Sequence, residues 1–166
     1  LSDQFNAPNP PPAGYEVGTS IGLKEDGTVD GVDVQFAVME ATAKVKMTRY
    51  NFGSNIGNLM GLTMKVNSST FHMLDGDLTC QAGEVLYLGF DSEETSDGYI
   101  IVTMHFAYEP NRTLQVDTLL GGLWNVTKVG QDYLWYRRGT TQDAQGVLSA
   151  HVAQVYERAN LNSLPV

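Results

Sequence analysis

The sequence holds a single cysteine, Cys80, among its 166 residues. No disulfide can form within the chain, and no thiolate cage can hold a metal. An isolated cysteine of this kind reads as a small buried apolar residue. Charge is also scarce, at 17% of residues against about 25% in an average globular domain. The surface must then be covered by Ser, Thr, Asn, Gln and Gly, which suits β-rich proteins with extensive contact surfaces. Basic residues are scarcer still: ten Lys and Arg stand against nineteen Asp and Glu, for a net charge of −9. Arg137-Arg138 is the nearest thing to a basic stripe, so a phosphate backbone is not expected as a partner. No apolar run approaches the roughly 18 residues that cross a bilayer, and no membrane partner is expected. No signal peptide is visible. The chain opens at Leu1 without an initiator Met, which fits a processed product or an incomplete N-terminus.

Turning to what is present, 166 residues suit one domain able to bury roughly two-thirds of its unfolded surface. Residues 1–14 read as an arm. Pro8, Pro10, Pro11 and Pro12 forbid a helix or a ladder strand there and favour extended polyproline II. Residues 15–160 read as a single β-rich domain and 161–166 as a C-terminal tail. Asp26-Gly27 and Asp30-Gly31 mark turns. Val32, Val34, Phe36 and Val38 alternate with polar or small residues, and Ala41, Ala43, Val45 and Met47 do the same in the opposite parity. The pattern predicts one long strand with a bulge or bend near Met39-Glu40. Residues 48–60 are the only helix candidate. There Gly53, Gly57 and Gly61 would line one flat face permitting close backbone approach, although glycine costs about 1 kcal/mol per position in a helix interior. Further strands are expected over 62–66, 83–90, 99–108, 113–119, 123–129, 132–138 and 147–156. Short strands with Gly-rich turns fit an antiparallel β-sandwich or barrel.

Candidate chemistry fails on context. Gly18-Thr19-Ser20-Ile21-Gly22 matches a nucleophile-elbow string, but that motif needs a strand-to-helix corner in a parallel α/β sheet. Here an Asp-Gly hairpin turn follows it. His72, His105 and His151 lack metal-ligand spacing. The acids Glu25, Asp26, Asp30 and Asp33, and then Asp91, Glu93, Glu94 and Asp97, could offer oxygens to Ca²⁺. They coincide with predicted hairpin tips, where acidic residues simply solubilise a loop. No catalytic residue, cofactor or metal site is assigned, and the chain is not expected to be an enzyme. Trp124, Tyr133 and Trp135 are candidates for a glycan-stacking platform, set against the commoner role of core aromatics. Asn67-Ser68-Ser69, Asn111-Arg112-Thr113 and Asn125-Val126-Thr127 are sequons, too few to establish secretion.

The strings GTSIGLKEDGTVDGVDV, LTMKVNSSTF, AGEVLYLGF, HFAYEPN, GQDYLWYRR and HVAQVYER follow one another in that order. Together they resemble a family of uncharacterised proteins of planctomycete genomes and phage-like elements. Its members show I-G-V-x-D-D-x-V-E-G-V-D, then A-G-E-V-L-F-L-G, a strand ending F-x-x-x-P-N, and G-W-D-Y-L-W. The resemblance runs from about Gly14 to Arg158 and rests on structural residues, so it transfers no site. Members carry additional sequence before the region of Tyr15, and Gln131 stands where their pattern has Trp. The resemblance implies a phage-type structural role. The expectation is a virion protein of the capsid surface, neck or tail, associating with itself and with other virion proteins. Its arm, its strand edges and the 53–61 segment would make the contacts. The alternative is an extracellular carbohydrate-binding module using Trp124, Tyr133 and Trp135.

Overall fold

The computed structural model describes residues 32–34, 38–73, 78–117, 123–139 and 146–165. Along the chain run β1 (Val32–Val34), β2 (Met39–Thr48), α1 (Arg49–Gly61), β3 (Lys65–Asn67), β4 (Phe71–Met73) and β5 (Leu78–Cys80). Then follow β6 (Val85–Glu94), β7 (Tyr99–Tyr108), β8 (Arg112–Asp117), β9 (Leu123–Lys128), β10 (Tyr133–Gly139), β11 (Gly146–Ala153), β12 (Arg158–Ala159) and a 3-10 turn (Leu161–Ser163). The fold is mostly β and mostly antiparallel, with one α-helix among the described residues, as the alternation and turn signals led us to expect. No helix among them is long and apolar enough to cross a membrane.

These elements fall into two compact units. One contains β2 to β7, α1, β12 and the 3-10 turn, and is built on a five-stranded sheet of order β12-β3-β6-β7-β2. All its pairings are antiparallel except β12 with β3. Alternation on β2 places Ala41, Ala43, Val45 and Met47 toward the core and leaves Glu40, Thr42, Lys44 and Lys46 exposed. On the core side, Tyr87 lies between strands against Phe106, ring centroids 5.4 Å apart, and Phe71 of β4 stacks on Phe106 at 5.7 Å. Leu59, Cys80, Val85, Val102 and Met104 complete a core in which all are fully buried. The residues read as a tail take part in it. Leu161 and Leu164 are buried in the same cluster, held by the 3-10 turn that Asn160 caps through Asn162 N–H at 3.1 Å.

The run GEVLYLGF does not continue as a flat strand. The register between β6 and β7 slips between Tyr87 and Gly89, so Val85 and Tyr87 face the core before the slip and Phe90 packs against it after. Gly89 takes φ +123°, a backbone that side chains with a Cβ rarely adopt, and a Cβ there would meet Thr63 Cγ2 at 3.4 Å. This is a bulge at a glycine that the sequence pattern hid inside an apolar run. Phe90 then meets Phe52 of α1 edge-on, centroids 6.3 Å apart. The helix begins where Thr48 Oγ1 accepts the Asn51 N–H at 3.2 Å, an N-cap in the usual sense.

The second unit pairs β1 with β10 and β10 with β11, and joins β8 to β9 as a separate antiparallel pair. Val126, Leu134 and Val152 are buried, and Lys128 is buried with its Nζ donating to the Gly130 carbonyl at 2.8 Å. One expectation is overturned. Residues 32–47 are not one long strand with a bend: β1 pairs with β10 while β2 pairs with β7, in different sheets. The change of parity near Met39 marks a change of partner.

Candidate functional site

The arm prolines Pro8, Pro10, Pro11 and Pro12, Ser20, and the turn acids Glu25, Asp26 and Asp30 lie outside the described residues. Gly53, Gly57 and Gly61 are exposed on α1, and the space where a Cβ would stand has no neighbouring atom within 4 Å. Tyr50 (82% exposed) and Met60 (65%) flank them. They form a smooth, solvent-facing stripe with an apolar side chain at either end.

A second surface follows from hydrogen-bond phase. Glu109 N–H donates to the Glu84 carbonyl at 2.9 Å, and Thr95 N–H to the Tyr99 carbonyl at 2.8 Å. These bonds flank the pairs Val85↔Tyr108 and Glu94↔Ile100, which marks both as non-hydrogen-bonded pairs of an antiparallel ladder. The even-numbered residues of β7 therefore turn their N–H and C=O away from β6 and toward β2. Their partners there are Met39, Ala41, Ala43, Val45 and Met47. The backbone groups of Glu40, Thr42, Lys44 and Lys46 are left pointing away from the sheet, since β2 is its terminal strand. Among the described residues nothing bonds to them.

The end of this edge is tied down by the second acidic cluster. Asp97 pairs with Lys46 at 2.6 Å and also accepts from Thr95, Glu94 pairs with Arg49, and Asp91 meets His105 Nε2 at 2.9 Å. The Lys46 and Thr95 hydrogen bonds hold the Asp97 carboxyl down at about 2. Three of the four acids thus face a basic side chain of their own. No group of three or more His, Cys, Asp or Glu among the described residues is arranged to hold a metal ion. Beside the His105–Asp91 pair, an open hollow of about 320 Å³ is lined by Glu40, Thr42, Leu88 and Phe106 among others. No hydrogen bond joins Thr42 to His105 among the described residues lining it.

The other candidates resolve individually. His72 sits on β4 beside Thr79 Oγ1 at 3.3 Å, and His151 lies on β11 in the other unit. Cys80 is fully buried, and burial, reinforced by the Glu84 carboxylate, pushes its thiol up to about 11. It is a packed side chain that stays protonated at neutral pH, as composition suggested. Tyr133 is half-buried on β10, two positions from Trp135, whereas Trp124 belongs to the separate β8–β9 pair. Asn111 and Asn125 of the sequons are exposed.

Asn67, the first residue of the Asn67-Ser68-Ser69 sequon, is a structural residue. It is 1% exposed. Its Nδ2 donates to the Ser69 and Gln81 carbonyls at 2.7 and 2.8 Å, and its Oδ1 accepts Val85 N–H at 2.8 Å. An amide fully occupied in this way is a structural clamp, inaccessible to glycosylation once the chain is folded. Glu84 works alongside it, accepting Gln81 N–H at 2.7 Å and Asn111 N–H at 2.8 Å. No family model, curated protein or solved structure matches the chain.

Proposed function

We propose that the protein is a structural component of a phage or virus-like particle, at the capsid surface, neck or tail, that builds its assembly by associating with copies of itself and with other virion proteins. The observation that carries this reading is the ten-residue terminal strand β2, whose outward backbone groups bond to nothing among the described residues. An edge of that length is a template for adding another strand, and natural proteins normally shorten, bend or cover it. Low charge density and the exposed glycine stripe of α1 support the same reading, because both reduce the cost of bringing a second surface close. Cys80, the only cysteine, is a buried, protonated thiol, and Asp97 and Glu94 at the β6–β7 turn are engaged by Lys46 and Arg49.

The reading is tested by sizing the purified protein over a wide concentration range with light scattering and imaging it by negative-stain electron microscopy. Discrete oligomers, rings or tubes are expected. A strict monomer up to hundreds of micromolar sinks it.

A further inference from the structure

The free edge carries more information than its length. We infer that β2 pairs antiparallel with β2 of a second copy about a two-fold axis through Ala43, joining the two five-stranded sheets into one. This deepens the assembly reading and rests on it.

Three observations select the partner and the register. First, side chains on the two strands must keep their faces: a two-fold axis normal to the sheet sets even residues opposite even ones, so the axis passes through a residue. Second, the backbone groups that point outward are those of Glu40, Thr42, Lys44 and Lys46. With the axis on Ala43, Thr42 meets Lys44 and Glu40 meets Lys46 as hydrogen-bonded pairs, and every outward group between them finds a partner. Third, this register sets Glu40 of each copy against Lys46 of the other. Moving the axis to Lys44 would set Lys44 on itself. Moving it to Thr42 would set Glu40 against Lys44 but shortens the overlap and leaves Lys46 facing Val38, beyond the end of β2.

Apolar surface agrees with the charges. On the core-facing side, Ala43 meets Ala43 of the second copy, Ala41 meets Val45 and Met39 meets Met47. Met39, 44% exposed in the single chain, becomes partly covered. The half-buried Ala41, Ala43 and Val45, already packed against the core cluster, extend it across the axis. Lysines on an edge strand commonly serve to repel a second strand. Here Lys46 has an acid opposite it and Lys44 a threonine, so the pattern complements itself.

The test is a scan of single cysteines on the full chain, with the wild type, whose Cys80 is buried, as the control. The Ala43 pair is non-hydrogen-bonded, with Cα atoms about 4.5 Å apart, within disulfide range. A43C should cross-link to a dimer under mild oxidation, whereas A41C and V45C should do so only when mixed with each other. Charge gives an independent arm. E40K and K46E should each weaken self-association by about tenfold. An equimolar mixture of the two should restore it, because every lysine at these positions then faces an acid across the axis. An oligomer that persists without these cross-links, or in which A41C and V45C link to themselves, overturns this register and leaves the assembly reading standing. A strict monomer overturns both.

Discussion

The two ends of the five-stranded sheet are finished in opposite ways. At one end β12 has two residues and β3 has three. The two are joined to each other: Val66 N–H donates to the Glu157 carbonyl at 2.9 Å and Ser68 N–H to the Ala159 carbonyl at 2.8 Å. Lys65 and Glu157 form an ion pair over it at 2.9 Å, and Asn67 locks the following loop. A terminal strand of two residues offers a second strand very little ladder to extend. At the other end β2 runs for ten residues in unbroken register with β7. The means of closing an edge are present in this chain, and they are used on one side only. That asymmetry is the physical content of the assembly reading.

The closed end should be the more fragile to single substitutions. Asn67→Ala removes three hydrogen bonds from a site that is 1% exposed. We expect a loss of about 3 kcal/mol or more, read by chemical denaturation. At the open end, proline distinguishes inward from outward backbone groups. Ala43→Pro deletes an N–H bonded to β7 and should cost about 3 kcal/mol. Thr42→Pro deletes one that points away from the sheet and should change the stability of the single chain by under about 1 kcal/mol while abolishing self-association. Equal effects of the two prolines on stability would mean that the phase of the ladder is misassigned. Gly89→Ala forces a side chain into φ +123° beside Thr63 and should cost about 2 kcal/mol, seen as a lowered unfolding midpoint.

The smaller predictions concern titration. The Asp97 carboxyl is held down at about 2 from its usual 3.8 by the hydrogen bonds from Lys46 and Thr95. A depressed carboxylate stabilises the fold above its unfolded value and stops doing so as pH falls through the folded one, so the Lys46 tie should loosen between about pH 4 and pH 2. Two-dimensional NMR of the Asp97 carboxyl would follow it, and Asp97→Asn should remove the transition. Cys80 has the opposite sign. Its thiol is raised from 9.0 to about 11, so its contribution is complete below pH 9 and fades as pH rises toward 11. At pH 8 it should resist a thiol reagent until denaturant is added.

Much of this architecture is legible along the chain, and what is not has a common cause. The strand over Tyr99–Tyr108 can be read to the residue because its apolar run is long and bounded by turn residues. The helix over Arg49–Gly61 falls within a residue of the one helix candidate, residues 48–60. The hairpin of β4 and β5 escapes because strands of three residues carry too short an alternation to register. β12 escapes for the same reason. The separation of β1 from β2 is invisible because local alternation reports a strand and not its partner. Asn67 is hidden by its neighbours, since an N-S-S string looks the same whether its amide faces solvent or clamps a loop. The free edge depends on strand order, which no single strand encodes, so the most consequential surface is the one the sequence could not place.

Sedimentation of the wild-type chain beside Thr42→Pro tests the central claim most directly. The account predicts that the wild type sediments as a dimer or larger species at micromolar concentration and that Thr42→Pro sediments as a folded monomer. A wild type that stays monomeric, or a folded Thr42→Pro variant that associates as the wild type does, would contradict it.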